Sequence, residues 1–441
     1  TTYRWREHVE HNKGIMSRPA EELRYWKARG PIARFRNELI SYGEHPFALA
    51  EIEREIHEEV DEAFRFAEAS PSPDIAHFMD NVGDAAEAFD EPQLSLGTRS
   101  IKCTEAIAEA TVQAMDADPN VFVVGLHVDD PNGVFGTTTP AFKKFGHARV
   151  FETPISEASA TGILGGAAIM GMRPLHVHAR NDFLLLCMSQ LGNELTKWCY
   201  MSAGALTVPL VIRAIVGRSR GQGCQHSQSL QSLFAHFPGL HVVAPSNGYD
   251  AKGLLLTALS GKTPVVFLEH RLCHPMTTVV PEASYRIPFG KARIVRQGTD
   301  VTIVSVLQMV YEAECAAGVL AKLGVSAEVI DLRSIRPWDK AAVCASVEKT
   351  GRLIVADTGW TEFGISAEIA ATITENVFGH LKAPPTRIAL PPCPTPMAEP
   401  LETAYYPGSR DIVAHALRFM DRKLPRDLQV SFATKAIAGP F

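Results

Sequence analysis

Residues 151–158 read Phe151-Glu-Thr-Pro-Ile-Ser-Glu-Ala158, and residues 161–171 read Thr161-Gly-Ile-Leu-Gly-Gly-Ala-Ala-Ile-Met-Gly171. The first stretch predicts the end of a short strand, and the second predicts a helix of small residues. Glu157 therefore stands where the helix begins. One interpretation is a helix N-cap or an acid in the first helical turn, both of which are common. The other is a ligand-binding group, because a carboxyl buried against such a helix is costly without a partner.

Strand and helix signals alternate on both sides of this stretch. Helical patterns at 104–116 and 249–259 separate short β-branched runs at 121–125, 209–213, 240–244 and 264–268. This alternation predicts a parallel sheet with helices on both faces. After an irregular, Pro-containing linker at 276–290, the pattern starts again. Its runs at 301–306, 327–331, 353–356 and 387–390 predict a second, smaller α/β domain.

Residues 1–90 have a more charged composition. Apolar side chains recur there at steps of three or four residues, which predicts a helix with one apolar face. They are Ile52, Ile56, Val60, Phe64 and Ala67. The segment is too polar to build a core alone. We therefore expect an α/β protein with a helical arm over 1–90 and parallel-sheet domains over 91–285 and 286–441.

Composition narrows the function classes. A net charge of −6 over 441 residues argues against nucleic acid as the main partner. No apolar run reaches the roughly 18 residues of a membrane span, and the charged N-terminus has no signal-peptide core. The eight cysteines form no Cys-x-x-Cys pair, which favours reduced thiols. We therefore expect a cytoplasmic protein without membrane or nucleic-acid partners.

The usual phosphate- and metal-binding motifs are missing from this sequence. It has no Gly-x-Gly-x-x-Gly after a strand, no Gly-x-x-x-x-Gly-Lys-Ser/Thr loop and no Gly-Asp-Gly followed by Asn. The histidines show no zinc-type spacing. We therefore expect no metal ligands among the residues of this chain.

Residues 97–425 resemble the beta chain of the decarboxylating first component of 2-oxo acid dehydrogenase complexes, the transketolase-like pyruvate and branched-chain enzymes. The matching stretches, in the family's order, include 151–158, 171–174, 208–213, 226–228 with 237–240, 249–253, 328–333 and 367–369. This resemblance implies that 91–285 is a thiamine diphosphate pyrimidine-binding domain. It also implies that 286–441 is a transketolase C-terminal-like domain.

The N-terminal segment resembles the C-terminal part of the alpha chain of the same component. The matching residues are Tyr3-Arg-Trp-Arg-Glu-His8, the helix end at 61–70 and Pro71-Ser-Pro73. The resemblance implies a separate alpha-like polypeptide that carries the diphosphate site and Mg²⁺. It further implies a heterotetramer and a possible lipoyl acyltransferase partner.

The resemblance also implies roles for individual residues. Glu157 matches the glutamate that activates thiamine diphosphate by sharing a proton with its aminopyrimidine ring. Ile155 lies in the same matched stretch and is a candidate cofactor contact. Phe183 stands where the family packs an aromatic ring on the aminopyrimidine, although a core phenylalanine is the alternative. His226 matches a substrate-positioning histidine, with a structural histidine as the alternative. His8 matches a histidine of the alpha chain's active-site loop.

Three further residues are candidates for substrate binding. Arg218 and Arg220 flank Ser219 in a glycine-rich loop and are able to hold a carboxylate or phosphate, unless they are solvated loop arginines. His178 belongs to a run, Leu175-His-Val-His-Ala-Arg180, that replaces an acidic residue of the family and predicts a basic wall. The cation loop at 258–263 lacks its acid, so a K⁺ ion there would depend on backbone carbonyls.

The primary functional hypothesis is therefore a beta-like subunit of a decarboxylating, acyl-transferring 2-oxo acid dehydrogenase. An alternative is transketolase-like or acyloin-type transfer of a two-carbon or acyl unit to a small acceptor. Another is a catalytically silent regulatory subunit, which the intact Glu157 and His226 disfavour.

Overall fold

The computed structural model describes Tyr3, Trp5 and residues 18–72, 74–83, 89–92, 97–130, 133–218 and 221–425. The chain forms two compact units, residues 1–78 and 79–441. The domain limits at 90/91 and 285/286 stay predictions.

The first unit is helical. It contains α1 (Ala20–Ala28), α2 (Pro31–Ser41) and α3 (Pro46–Ala69), followed by a 3₁₀ turn at Ile75–His77. Prolines at the first position of α2 and α3 suit a helix start, because that residue's N–H has no intrahelical partner. None of the three helices contains a buried residue. The predicted apolar side chains of α3 are exposed, with Phe64 at 67%, so the described helices of this unit build no core of their own.

The second unit begins with alternating strands and helices. They are β1 (Ser100–Lys102), α4 (Cys103–Ala117), β2 (Val121–Gly125), α5 (Thr139–Phe145), β3 (Val150–Glu152), α6 (Glu157–Ile169), β4 (Arg173–His178), α7 (Trp198–Met201), β5 (Val211–Val216), α8 (Gln231–Ala235), β6 (His241–Val243), α9 (Gly248–Ser260), β7 (Val265–His270) and β8 (Thr277–Val279). Between β4 and α7 the chain forms a 3₁₀ helix, Asn181–Cys187, and a π-helical turn, Gln190–Leu195.

The alternation continues to the end of the described chain. It gives β9 (Arg293–Arg296), β10 (Val301–Ser305), α10 (Gln308–Lys322), β11 (Ala327–Asp331), β12 (Ser334–Arg336), α11 (Lys340–Thr350), β13 (Leu353–Trp360), α12 (Ile365–Val377), β14 (Thr386–Leu390), α13 (Glu399–Tyr405) and α14 (Ser409–Arg418).

Among the described residues, two sheets organise this unit. The first has seven strands in the order β12-β6-β7-β5-β4-β2-β3, and the second has five in the order β14-β13-β10-β11-β9. All neighbours are parallel except β12 beside β6 and β9 beside β11. The predicted fold, two parallel-sheet α/β domains with N-terminal helices, is confirmed.

Apolar packing covers both faces of the first sheet. Ile107 of α4 and Leu254 of α9 lie in one buried cluster, whereas Leu164 of α6 lies in another. The small residues of α6 allow a close approach, because a Cβ added to Gly165 would stand 2.2 Å from Leu195 Cδ2. The sequence of α6 is therefore explained partly by packing.

The prediction of an irregular linker at 276–290 was wrong for the first residues of this segment. Residues 277–279 form β8, which pairs antiparallel with β1. Tyr285 and Ile287 are buried in the cluster that contains α4 and α9. The segment is therefore part of the packed structure. Among the described residues, no helix combines the length and hydrophobicity that a membrane span requires.

Candidate active site

Glu157 is the first residue of α6, five residues beyond the end of β3. Its side chain is half-buried. It borders a small cavity lined by Leu126, Thr153, Pro154, Ser156, Ala160, His176, Val177 and His178. Within the described chain, the carboxylate makes no hydrogen bond and no ion pair. A hydrogen-bonded helix cap is therefore not what the structure shows, although the helix N-terminus still favours a negative charge there.

Ile155 lies two residues before Glu157 and is 80% exposed. An isoleucine this exposed contributes nothing to the core of its own sheet. It remains a candidate contact for a ligand.

Phe183 and His226 come together although they lie 43 positions apart in the sequence. Their ring centroids are 5.4 Å apart and the rings meet edge to face at 77°. Phe183 is half-buried in the 3₁₀ helix after β4, and His226 is exposed. The structure therefore places both predicted residues on one surface, at the carboxyl ends of the parallel strands β4 and β5.

A buried polar pair fixes the loop that carries His226. The Asn181 amide donates to Gln228 O at 2.9 Å, and its Oδ1 accepts the Leu230 N–H at 3.0 Å. Asp182 Oδ1 accepts from the backbone and side-chain N–H groups of Gln228 at 3.2 and 2.9 Å. Burial raises the pKa of Asp182, and the Gln228 hydrogen bonds offset part of this effect. Our sequence reasoning missed these two residues; the available signal was a polar pair directly after a buried strand.

Arg180 fixes the other end of the same loop. Its Nη1 donates to Gly217 O at 3.1 Å, and its Nη2 donates to Gln222 Oε1. Gly217 has φ +80°, and a Cβ there would stand 2.2 Å from the His270 ring. A glycine is therefore required where the loop leaves β5.

The predicted basic wall needs a correction. His176 and His178 are buried, and His178 Nε2 lies 3.3 Å from His176 Nδ1. Burial lowers the pKa of His178 to about 4 and the pKa of His176 well below its usual value. Both histidines are therefore neutral near pH 7. Arg180 alone carries the positive charge of this run, with its pKa lowered by burial to about 10.

Arg218 lies against the second half of the unit. Its Cζ is 4.8 Å from the centroid of the Tyr406 ring. The Tyr406 hydroxyl donates to Ser227 O at 3.4 Å, next to His226. Arg220 and His8, the remaining predicted site residues, lie outside the described residues.

Comparison with known proteins agrees with this arrangement. Residues 99–275 match the family described as "Transketolase, pyrimidine binding domain", residues 290–412 match "Transketolase, C-terminal domain", and residues 1–76 match "Dehydrogenase E1 component". A rice protein, pyruvate dehydrogenase E1 component subunit beta-2, mitochondrial (Oryza sativa subsp. japonica), is 41% identical over 348 residues. The match covers 78% of this chain and 91% of the rice protein.

Two bacterial relatives are as similar. Acetoin:2,6-dichlorophenolindophenol oxidoreductase subunit beta is 41% identical over 332 residues in Cupriavidus necator and over 334 residues in Bacillus subtilis. Each match covers 73% of this chain and 98% of the relative. This chain belongs to the E1 beta-subunit family of pyruvate and acetoin dehydrogenases.

A solved structure supports the fold of this E1 beta family member. "Split gene transketolase, inactive beta4 tetramer" matches with a TM-score of 0.60 at 22% identity, covering 74% of this chain and 99% of that one. The family is thiamine diphosphate-dependent and transketolase-like.

The residues fit one half of that cofactor. Glu157 offers a carboxyl group without a partner in the described chain, as a ring nitrogen requires, and Phe183 offers an aromatic side chain for the ring. Glu157 also acts on the segment that carries Phe183, because its charge, after burial, raises the pKa of the Cys187 thiol. In the part of the chain that the structure describes, no cluster of acidic, histidine or cysteine side chains is arranged to hold a metal.

The carbonyl groups of the predicted cation loop are partly engaged by the protein itself. Arg173 Nη1 donates to Leu259 O at 3.1 Å and to Gly261 O at 2.7 Å. Ala258 O and Lys262 O accept backbone N–H groups, so four carbonyl groups of the 258–263 loop already accept hydrogen bonds. A K⁺ ion at this loop stays a prediction.

Proposed function

We propose that this chain is the beta-type part of a decarboxylating, acyl-transferring 2-oxo acid dehydrogenase, and that Glu157 activates its thiamine diphosphate. The observation that carries this proposal is the half-buried carboxylate at the start of α6, which has no partner in the described chain. A carboxyl group that the protein itself does not satisfy is suited to a ligand.

Each residue has a distinct task in this proposal. Thiamine diphosphate, when bound, supplies the nucleophilic carbon that adds to the 2-oxo acid. Glu157 holds a proton at its carboxyl oxygen and shares it with the ring nitrogen. Phe183 packs against the ring, and His226, held by Asn181 and Asp182 through the Gln228 segment, orients the substrate.

We further propose that an alpha-type domain completes the site and holds the diphosphate with Mg²⁺. The match of residues 1–76 to the dehydrogenase E1 component supports this domain as the neighbour of the N-terminal helices. An alpha-like domain on a separate polypeptide, a heterotetramer and a lipoyl acyltransferase partner stay predictions.

The test is the activity of the complete complex of this chain with its alpha-type domain, thiamine diphosphate and Mg²⁺. Glu157→Gln should lower kcat by roughly 10²- to 10⁴-fold, because the amide cannot share the proton. Glu152→Gln, which changes a neighbouring exposed carboxylate, is the matched control and should retain full activity. If Glu157→Gln is as active as the control, the proposal fails and the silent-subunit hypothesis gains.

The acyl acceptor needs a separate assay. The proposal expects rapid acylation of a lipoyl domain by the complex with a 2-oxo acid. Transfer to an aldehyde or sugar with no lipoyl acylation would instead support the transketolase-like or acyloin-type alternative. One observation supports this alternative. The two acetoin:2,6-dichlorophenolindophenol oxidoreductase beta subunits match this chain as closely as the rice protein does.

A further inference from the structure

Arg218 is a half-buried arginine without an acidic partner. Within the described chain its guanidinium makes no ion pair and no side-chain hydrogen bond; it contacts the face of the Tyr406 ring at 4.8 Å. A cation on an aromatic face keeps the N–H groups at its edge free to donate. Arg218 therefore presents a preformed fork of donors, which matches a carboxylate or a phosphoryl group.

Other basic residues lie in the neighbourhood of this arginine. Arg180 donates a hydrogen bond to Gly217 O, directly before Arg218. Arg271 is the next residue after His270, whose ring lies against Gly217. Burial, then Arg218, lowers the pKa of His270 to about 3, and its Nε2 is buried without a partner. An anion bound here would reduce the mutual repulsion of the arginines.

Two carboxylates hydrogen-bond the loop that follows Arg218. Asp182 accepts hydrogen bonds from Gln228, and Glu402 accepts the Gly221 N–H at 3.3 Å. Both are buried, at 6% exposed. Oε1 of Glu402 is buried without a partner, but in the described chain neither carboxylate pairs with Arg218. The Arg218 fork is therefore left to an external group.

The position of Arg218 relates it to the reaction site. Tyr406 carries Arg218 on its ring and hydrogen-bonds Ser227 O through its hydroxyl, so one tyrosine side chain separates Arg218 from the backbone beside His226. In the proposed function, the 2-oxo carboxylate leaves as CO₂. An arginine that paired with that carboxylate would stabilise the ground state and oppose its loss. Arg218 is suited to a group that the substrate retains.

We infer that the 2-oxo acid substrate carries a second anionic group at its far end, and that Arg218 on Tyr406 recognises it. This inference rests on the proposed function. It names the substrate class as 2-oxo acids with a terminal carboxylate or phosphonate and excludes purely aliphatic ones as the preferred substrates.

The experiment uses the complete complex and compares substrates that differ only in their terminal group. The substrates are 2-oxoglutarate, its terminal phosphonate counterpart, and 5-methyl-2-oxohexanoate, in which an isopropyl group replaces the terminal carboxylate. An anionic tail should raise kcat/KM roughly tenfold to a hundredfold over the isopropyl tail. Arg218→Gln should reduce that ratio towards one, mainly through KM, while Arg218→Lys should retain part of it. Arg296→Gln, an exposed arginine of β9, is the matched control and should leave the ratio unchanged.

Two outcomes would overturn the inference. One is a wild-type preference for the isopropyl tail, and the other is an Arg218→Gln ratio equal to that of the control. Preference for the carboxylate over the phosphonate, or the reverse, identifies which anion the site takes.

A substrate-free readout separates this inference from the proposed function. Exchange of the reactive cofactor proton with deuterium should be slow in Glu157→Gln and normal in Arg218→Gln. Normal exchange, together with equal kcat/KM for the anionic and isopropyl substrates, would contradict only the Arg218 inference. Exchange that does not depend on Glu157 would sink the proposed function.

Discussion

Glu269 and Glu157 lie in the same α/β unit but in contrasting surroundings. Glu269, in β7, is 3% exposed, and its oxygens accept hydrogen bonds from Arg213 at 2.5 and 3.1 Å. His274 Nε2 lies 3.2 Å from its second oxygen. Glu157 is half-buried and has no such partner in the described chain. The contrast teaches that a carboxylate satisfied by its own protein is structural, whereas an unsatisfied one is available to a ligand.

The largest expected effect follows from removing the partner of Glu269. Arg213→Met should destabilise the chain by about 3–5 kcal/mol, because it leaves a buried carboxylate uncompensated. Denaturant unfolding at pH 7 measures the effect. The double variant Arg213→Met, Glu269→Leu should recover most of the loss, since it buries no unpaired charge. A single variant as stable as the wild type would show that the pair is not structural.

The second test uses pH. Burial alone would raise the pKa of Glu269, but Arg213 and His274 outweigh it and hold the pKa at about 2, below its usual 4.5. A depressed carboxyl pKa stabilises the fold above the unfolded value, so this stability is lost as pH falls from about 4.5 towards 2. The loss amounts to at most about 3 kcal/mol.

Unfolding free energies from pH 6 to pH 2 measure this loss as the difference between the wild type and Glu269→Gln. Burial raises the pKa of Asp357 to about 6, so its contribution to the unfolding free energy changes with pH in the opposite direction. Taking the difference between the two proteins cancels this contribution. A difference that does not change over this range would contradict the assignment.

The third test concerns the loop that carries His226. Asn181→Ala should cost about 1–3 kcal/mol, because buried groups of Gln228 and Leu230 lose their partner. It should also lower kcat of the complex, since His226 is no longer held beside Phe183. Asn376→Ala removes an exposed amide that donates to Thr372 O, and it should stay within about 0.5 kcal/mol of the wild type. Full activity of Asn181→Ala would mean that the loop does not depend on it.

The smallest expected effect is the change in stability on substitution of Glu157. Glu157→Gln should change the unfolding free energy by no more than about 0.5 kcal/mol, since no described protein contact is lost. Glu269→Gln under the same conditions provides the contrast. A large stability loss for Glu157→Gln would mean that this carboxylate has a structural partner.

Most strands of the two sheets were predictable from local sequence. Every predicted β-branched run overlaps an observed strand, because the strands of a parallel sheet are buried on both faces and read as continuous apolar runs. The predicted runs did not include β1, β4, β8, β9 or β12. Strands β8 and β12 are each only three residues long, and each is defined by its partner strand.

The site was predictable where a local motif carried it. Glu157, Phe183 and His226 were found through stretches that resemble a family. The pairing of Arg213 with Glu269 spans 56 residues, and no local pattern announces it. The neutral state of His176 and His178 follows from burial, which the sequence run alone does not show.

Strand β12 has a consequence for the order of synthesis. Residues 334–336 close the first sheet by pairing with β6, and neighbouring Arg333 contacts Asp250 at 2.7 Å. The ribosome makes these residues only after β9, β10 and β11 of the second sheet. Until then β6 is an open edge that can pair with another chain. A nascent chain, or a fragment cut at residue 285, therefore carries an unfinished first sheet, and residues made late complete the part that is made early.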